Sequence, residues 1–527
     1  MTGRATDAMQ ARIYKRRWWT LAVLSMSLLI IGIDNTILNV ALPTLQRELD
    51  TTGSELQWIV DAYVLAFAAL LLTMGALGDR FGRALLLRIG IFVFGAASFG
   101  ATFADSASHL VIARSIMGIG ASMIMPATLA IISNVFPREE RGKAIGAWGA
   151  VTGAAIALGP ITGGILLEHF YWGSVFFINV PVVIVALVAG WFLVPESRDP
   201  NPRRPDIPGT VLSSGALSLL VFGLIKGGDW GWRDPGVLGT LCGSVVIGTL
   251  FILWERHTAH PMLDLWLFRN ARFSAGATSI TLLMLCQMGM VFGITQYMQF
   301  VLGYSALETG IRFLPSAAGV AIGASMSHRR VEHFGTTRVM AVAFIAYTAL
   351  FAGASFWDVD TSYWVLGPMF FATGLCMGHI MPPATDALLG AVAEARSGVG
   401  SAMNSVSVQV GGAIGVAALG SVLSSIYSSN VKPAIAAIPS LPTEVARAAT
   451  DSVGVAIIAS DRLPDGASQA LSSAARGSFM DGWQVMAFAV CGIGLAAAFF
   501  VMRFMPPRHL PVEAADALSS PLRGEEK

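Results

Sequence analysis

Asp34 stands inside the apolar run LLIIGIDNTILNVALP, residues 28–43. A carboxylate held in lipid costs roughly 2.5–3.5 kcal/mol on insertion scales, so it needs a use. The chemistry that suits it is proton exchange. A carboxyl taken out of water holds a proton more readily, and a nearby organic cation favours the charged form. The two then compete for one site. Asp61 is a second candidate. Trp58 precedes it by three positions and so shares its helix face, and an aromatic beside a carboxylate suits an organic cation. Tyr63 joins Trp58 and Asp61 as a binding candidate. Arg114, within the apolar segment after residue 110, needs a carboxylate or a backbone carbonyl as partner, and is expected to link protonation to helix movement. Further along, His379 and Asp386 share a helix face at i and i+7, which leaves a second relay and a structural role both open.

The elements that must position these groups are membrane helices. The 527 residues are 54% hydrophobic and 13% charged, against about 25% charged in soluble domains. Fourteen segments look long enough to cross a bilayer, which takes about 20 residues. An all-α bundle is expected, because lipid cannot satisfy an open backbone. Most of the 34 lysines and arginines fall on one side of the alternating loops. This positive-inside bias places both termini in the cytoplasm. With that orientation Asp34 lies roughly 12 Å and Asp61 roughly 7 Å from the outer ends of their helices, at 1.5 Å per residue. The two acids are expected to share an outward-facing vestibule.

The chain divides into three blocks. Residues 1–200 hold six spans. Residues 201–272 hold an inserted pair, preceded by the proline-rich linker PESRDPNPRRPDIPG, 195–209. Residues 273–527 hold six more, with a long outer loop at 429–478, expected as an ordered cap or as a segment dipping toward the bilayer. The turn HRRVEHFGTTRVM, 328–340, echoes GALGDRFGRALLL, 75–87, as two related half-bundles would. The net charge of +1 points to no nucleic acid, and the four cysteines suit neither a zinc site nor a disulfide framework. No Walker A lysine loop, H-E-x-x-H or nucleophile elbow occurs, so no enzyme reading survives.

Gly75, Asp79, Arg80, Gly82 and Arg83 match the G-x-L-x-D-R-x-G-R signature of the major facilitator superfamily in type and spacing. ARSIMGIG, from Ala113, resembles the family's R-x-x-x-G-x-G motif. GAVTGAAIALGPITGGI, 149–165, resembles its antiporter motif, with Gly159, Pro160, Gly163 and Gly164 at the centre. IDNTILNVALP and WGSVFFINVPVV are similar to elements of the fourteen-span drug:proton antiporter branch, and LQWIVDAYVL to its quaternary-ammonium exporters. The resemblance implies the major facilitator fold, two six-helix bundles plus two inserted helices. It implies proton coupling through Asp34 and Arg114, and substrate contact at Asp34, Asp61, Trp58 and Tyr63. Gating would fall to the 75–83 turn and the Gly159–Gly164 segment. Where such exporters often carry acids in their C-terminal half, this chain has Val320, Asn404, Ser405 and Gln409.

The expected function is proton-coupled export of amphipathic, mainly cationic drugs across a bacterial inner membrane. The partners would be drugs, protons and lipid. No cofactor is expected beyond the proton gradient, and the protein is expected to act as a monomer. Two other readings stay open: an exporter dedicated to one endogenous antibiotic or lipid, and a non-transporting membrane sensor.

Overall fold

The computed structural model describes the chain except for residues 1, 50–52, 200–205, 259–260, 262, 394–395, 439–440, 462 and 507–527. The described residues fold into helices joined by turns. The first group is α1 (Thr2–Glu48), α2 (Gly53–Phe81), α3 (Arg83–Ala101), α4 (Ala107–Val135), α5 (Arg138–His169), α6 (Ser174–Phe177) and α7 (Asn179–Leu193). A pair follows, α8 (Ile207–Trp230) and α9 (Pro235–His257). The last group opens with α10 (Ala271–Gln296), α11 (Ala306–Arg312), α12 (Leu314–Phe334), α13 (Thr336–Ala354) and α14 (Tyr363–Gly390). It closes with α15 (Ser397–Ala436), α16 (Thr443–Asp451), α17 (Val453–Ser460) and α18 (Asp465–Phe504).

Twelve helices among the described residues are long and apolar enough to cross a membrane. The expectation was fourteen. The two outside that set are α5 and α12, with 32 and 21 residues. The apolar run of α12 is cut short by His328, Arg329 and Arg330, whereas residues 150–167 of α5 carry no charge. Their lengths alone would span a bilayer at 1.5 Å per residue.

Within the first group α1 packs on α5 and α7, and α4 on α2 and α3. In the last, α10 packs on α14 and α15, α12 on α14, and α13 on α18. The two groups meet where α5 lies along α12 and α14, and where α15 lies along α2 and α4. The inserted α8 packs on α9 and also on both α2 and α15, so the pair bridges the two groups. Small residues let backbones approach at such seams.

The segment 429–478 is not one long loop. Helices α15 and α18 each run 40 residues, about 60 Å, and extend into it from both sides. Between them α16 and α17 fold back, and the buried Tyr427 hydroxyl donates to the Ala449 carbonyl at 2.8 Å. Val453 and Ala456 are buried against this cap. Apolar stretches too short to span are here long enough to pack on one another.

Candidate functional site

Asp34 is fully buried, on the inner face of α1. Its Oδ2 pairs with Arg114 Nη1 from α4. Its Oδ1 accepts from Asn179 Nδ2 of α7 at 3.3 Å. Asn179 also donates to Ser98 Oγ of α3 at 3.0 Å. Arg114, 1% exposed, has a second anchor: its Nε donates to the Ile59 carbonyl of α2 at 3.2 Å. The guanidinium lies 4.3 Å from the centre of the Tyr63 ring. One ion pair therefore ties α1, α2, α4 and α7 together. A proton placed on Asp34 would remove the negative half of that pair and leave Arg114 a buried cation with a lost partner. Such a change is costly unless helices move, which is the chemistry a coupling site needs. Asp34 does not open into a vestibule shared with Asp61, because it sits inside the helix group.

Asp61 faces the other way. Residues two apart on a helix point to different faces, so Tyr63 meets Arg114 while Asp61 meets the inserted pair. Lys226 of α8 places Nζ 3.3 Å from Asp61 Oδ2, and both residues are buried. Trp58, which is exposed, has its ring 5.6 Å from the same ammonium. Asp61 and Trp58 therefore stand beside a cation that is part of the chain.

The 75–83 turn joins the two helix groups. Asp79 Oδ1 accepts from Arg83 Nε at 2.8 Å, Arg83 Nη2 at 2.6 Å and the Gly398 amide at 2.8 Å. Its Oδ2 accepts from the Val399 amide at 3.0 Å. Asp79 thus caps the N-terminus of α15, where unpaired amides and the helix dipole favour a negative charge. The fit requires glycine on both sides. A Cβ at Gly75 would lie 2.6 Å from the Gly398 carbonyl oxygen, and one at Gly398 would overlap Asp79. Gly82 has φ of 125°, a conformation that side chains rarely adopt. Glu196, from the linker, accepts from the Ala84 and Leu85 amides at 3.0 Å each and caps α3. Arg80 lies over the Phe81 ring at 5.3 Å.

In α5, a Cβ at Gly159 would overlap the Thr36 side chain, and one at Gly163 would lie 2.8 Å from Ile37. These two glycines set the approach of α5 to α1, on the turns that flank Asp34. A Cβ at Gly164 would meet nothing within 4 Å, so the close approach to α1 is made by Gly159 and Gly163. The Pro160 side chain lies outside the described residues. His379 bonds to Arg330 at 2.9 Å and to the Leu375 carbonyl at 2.7 Å. In the C-terminal group Asn404 and Ser405 are fully buried, and Asn404 accepts from Thr385 at 3.0 Å.

Three residues escaped the reading of the sequence: Lys226, Asn179 and Glu196. Lys226 had a signal. It ends an apolar run as the middle member of Phe222, Lys226 and Trp230, a stripe at i, i+4 and i+8. Asn179 lay in plain view within WGSVFFINVPVV, while Glu196 looked like linker.

The Major Facilitator Superfamily model matches residues 24–416. The chain is 33% identical to the tetracenomycin C resistance and export protein of Streptomyces glaucescens, over 95% of each chain. It is 35% identical to the multidrug efflux pump LfrA of Mycolicibacterium smegmatis, over 92% of this chain and 96% of that one. It is 34% identical to the methyl viologen resistance protein SmvA of Salmonella typhimurium, over 88% and 93%. Among solved structures, the human organic anion transporter MFSD10 superposes with a TM-score of 0.60 at 14% identity, over 92% of this chain and 99% of that one. That likeness speaks for the fold.

Proposed function

The chain belongs to the Major Facilitator Superfamily, a multi-pass membrane transporter and not an enzyme, and from that premise we propose that it exports amphipathic drugs in exchange for protons. It would do so from a bacterial inner membrane, with fourteen spans once α5 and α12 are counted, both termini cytoplasmic, and as a monomer. The observation that carries the reading is the Asp34–Arg114 pair, buried among four helices. Protonation there changes what holds the helices together, so it can be coupled to alternating access of the two groups. One entering proton supplies about 2.3 kcal/mol per 100 mV, plus the pH term. Relatives named for resistance to several unlike compounds support a drug cargo.

The test is transport in proteoliposomes under an imposed pH gradient, with cationic, neutral and anionic drugs. Drug-driven proton release is expected from the wild type. Asp34→Asn is expected to abolish it at unchanged abundance, since an amide exchanges no proton. Normal antiport by that variant would end the coupling role.

A second reading is an exporter of one compound. It is favoured by the pairing of both acids: Asp34 and Asp61 each face an internal cation, which an uncharged cargo would leave in place. Flux of a single neutral compound in the same screen would select it. Flux of none would favour a membrane sensor.

A further inference from the structure

The inserted helices are usually the hardest part of such a plan to assign a task, and here one of them reaches into a candidate site. Lys226 lies at the end of α8 and is 2% exposed. Its ammonium has the Asp61 carboxylate at 3.3 Å, the Trp58 ring at 5.6 Å and the Trp230 ring at 5.8 Å. Phe222 closes the wall, its ring 6.1 Å from Trp58 and 6.0 Å from Trp230. A carboxylate with aromatic faces on several sides is how proteins hold an organic ammonium. The four groups come from two helices, α2 and α8, so the cage exists only because the inserted pair is there.

We propose that this cage is an organic-cation site and that Lys226 is its tethered occupant, which an incoming alkylammonium must displace. The lysine stem makes this exchange feasible. It is four flexible carbons long and can carry its charge outward past Trp230, which is 54% exposed. The tethered ammonium also makes α8 a selectivity element. A bulky monovalent cation that fills the aromatic box can replace it. A dication would need a second anion, and Asp34 is already joined to Arg114.

The inference rests on the export reading only for its biological use, and its test is an equilibrium one. Tetrapropylammonium binding to the purified full-length protein is followed by tryptophan fluorescence with no pH gradient. Lys226→Met is expected to bind it about tenfold more tightly than the wild type, since the tethered ammonium is gone. Lys226→Arg is expected to stay near the wild type, and the Lys226→Met/Asp61→Asn double variant to lose the gain. A Lys226→Met affinity no higher than the wild type's, or a gain that survives in the double variant, overturns the proposal.

A second measurement needs no variant. Saturating tetrapropylammonium is expected to expose Lys226 to an amine-acylating reagent, read by mass spectrometry. Unchanged labelling across the titration also overturns the proposal. Absence of drug-driven proton flux would sink the export reading and leave this binding result standing; an unmoved affinity sinks this inference alone.

Discussion

The two ends of α2 each send a carboxylate across a boundary, and they do it differently. Asp79 meets rigid donors. Two backbone amides of α15 and the guanidinium of Arg83 converge on it at 2.6–3.0 Å. Asp61, 18 positions earlier and so about 27 Å away along the helix, meets the tip of a flexible lysine between aromatic rings. The first arrangement orders few rotatable bonds and satisfies a helix end, so it acts as a latch between the two helix groups. The second is a point charge on a long stem, which can be exchanged. A transporter needs both kinds of contact: one that defines a conformation, and one that gives way to cargo.

The latch also has a pseudo-symmetric counterpart to be judged against. Gly82 and Gly335 both have positive φ, 125° and 81°, and begin the helices that follow their turns. In the second turn Glu332 stands where Asp79 does in the first. Glu332 is exposed and, among the described residues, pairs with His328, one turn back on its own helix, at 3.3 Å. The related α5 starts at Arg138 after Pro137, with a backbone that offers one amide fewer to cap. The latch is therefore one-sided. The second turn has the same glycine and a carboxylate at the same place, but that carboxylate pairs on its own helix.

Substitutions at these three carboxylates sharpen the contrast. Asp79→Asn is expected to have the largest effect. It removes the charge facing Arg83, which is 1% exposed, and breaking a buried pair from one side costs about 3–5 kcal/mol. Transport in proteoliposomes is expected to fall by about a hundredfold or more. A variant with normal flux would show that the latch only decorates this conformation. Asp61→Asn is expected to cost less, about 1–2 kcal/mol, because Lys226 sits near its helix end and can carry its charge to water. Thermal unfolding of the purified variants reads the difference; equal losses at positions 61 and 79 would erase the distinction drawn here. Glu332→Gln is expected to change stability by no more than about 0.5 kcal/mol and to leave flux intact. A large loss there would mean that Glu332 grips the other group in a conformation different from this one.

The pairing of α8 with both α2 and α15 adds a structural reason for the inserted helices. Thr73 and Ser214 hydroxyls approach to 3.4 Å, and Trp232 Nε1 donates to Ser421 Oγ at 2.6 Å. Phe251, Leu263 and Val399 bury a small apolar cluster against Ala76 and Leu212. The pair thus lies over the seam that the Asp79 latch closes.

Hydropathy and local spacing determined a good deal of this protein by themselves. The apolar runs called for membrane helices, the glycine before Arg83 marked a tight turn, and Asp34 and Arg114 stood out because lipid makes a lone charge expensive. Each of these is a property of neighbours in the chain. What the tertiary structure decided was partnership. Arg114 lies 80 positions from Asp34, and the Gly398 amide 319 positions from Asp79. Spacing along a helix says which residues share a face, not which helix that face will meet. For the same reason the sequence did not show that α8 brings a lysine to Asp61, or that Gly163 takes the α1 side. The 429–478 segment, expected as an ordered cap or as a segment dipping toward the bilayer, took its form from packing as well. Its apolar stretches are too short to cross a bilayer, and only their packing against the extensions of α15 and α18 makes them helices in an ordered cap.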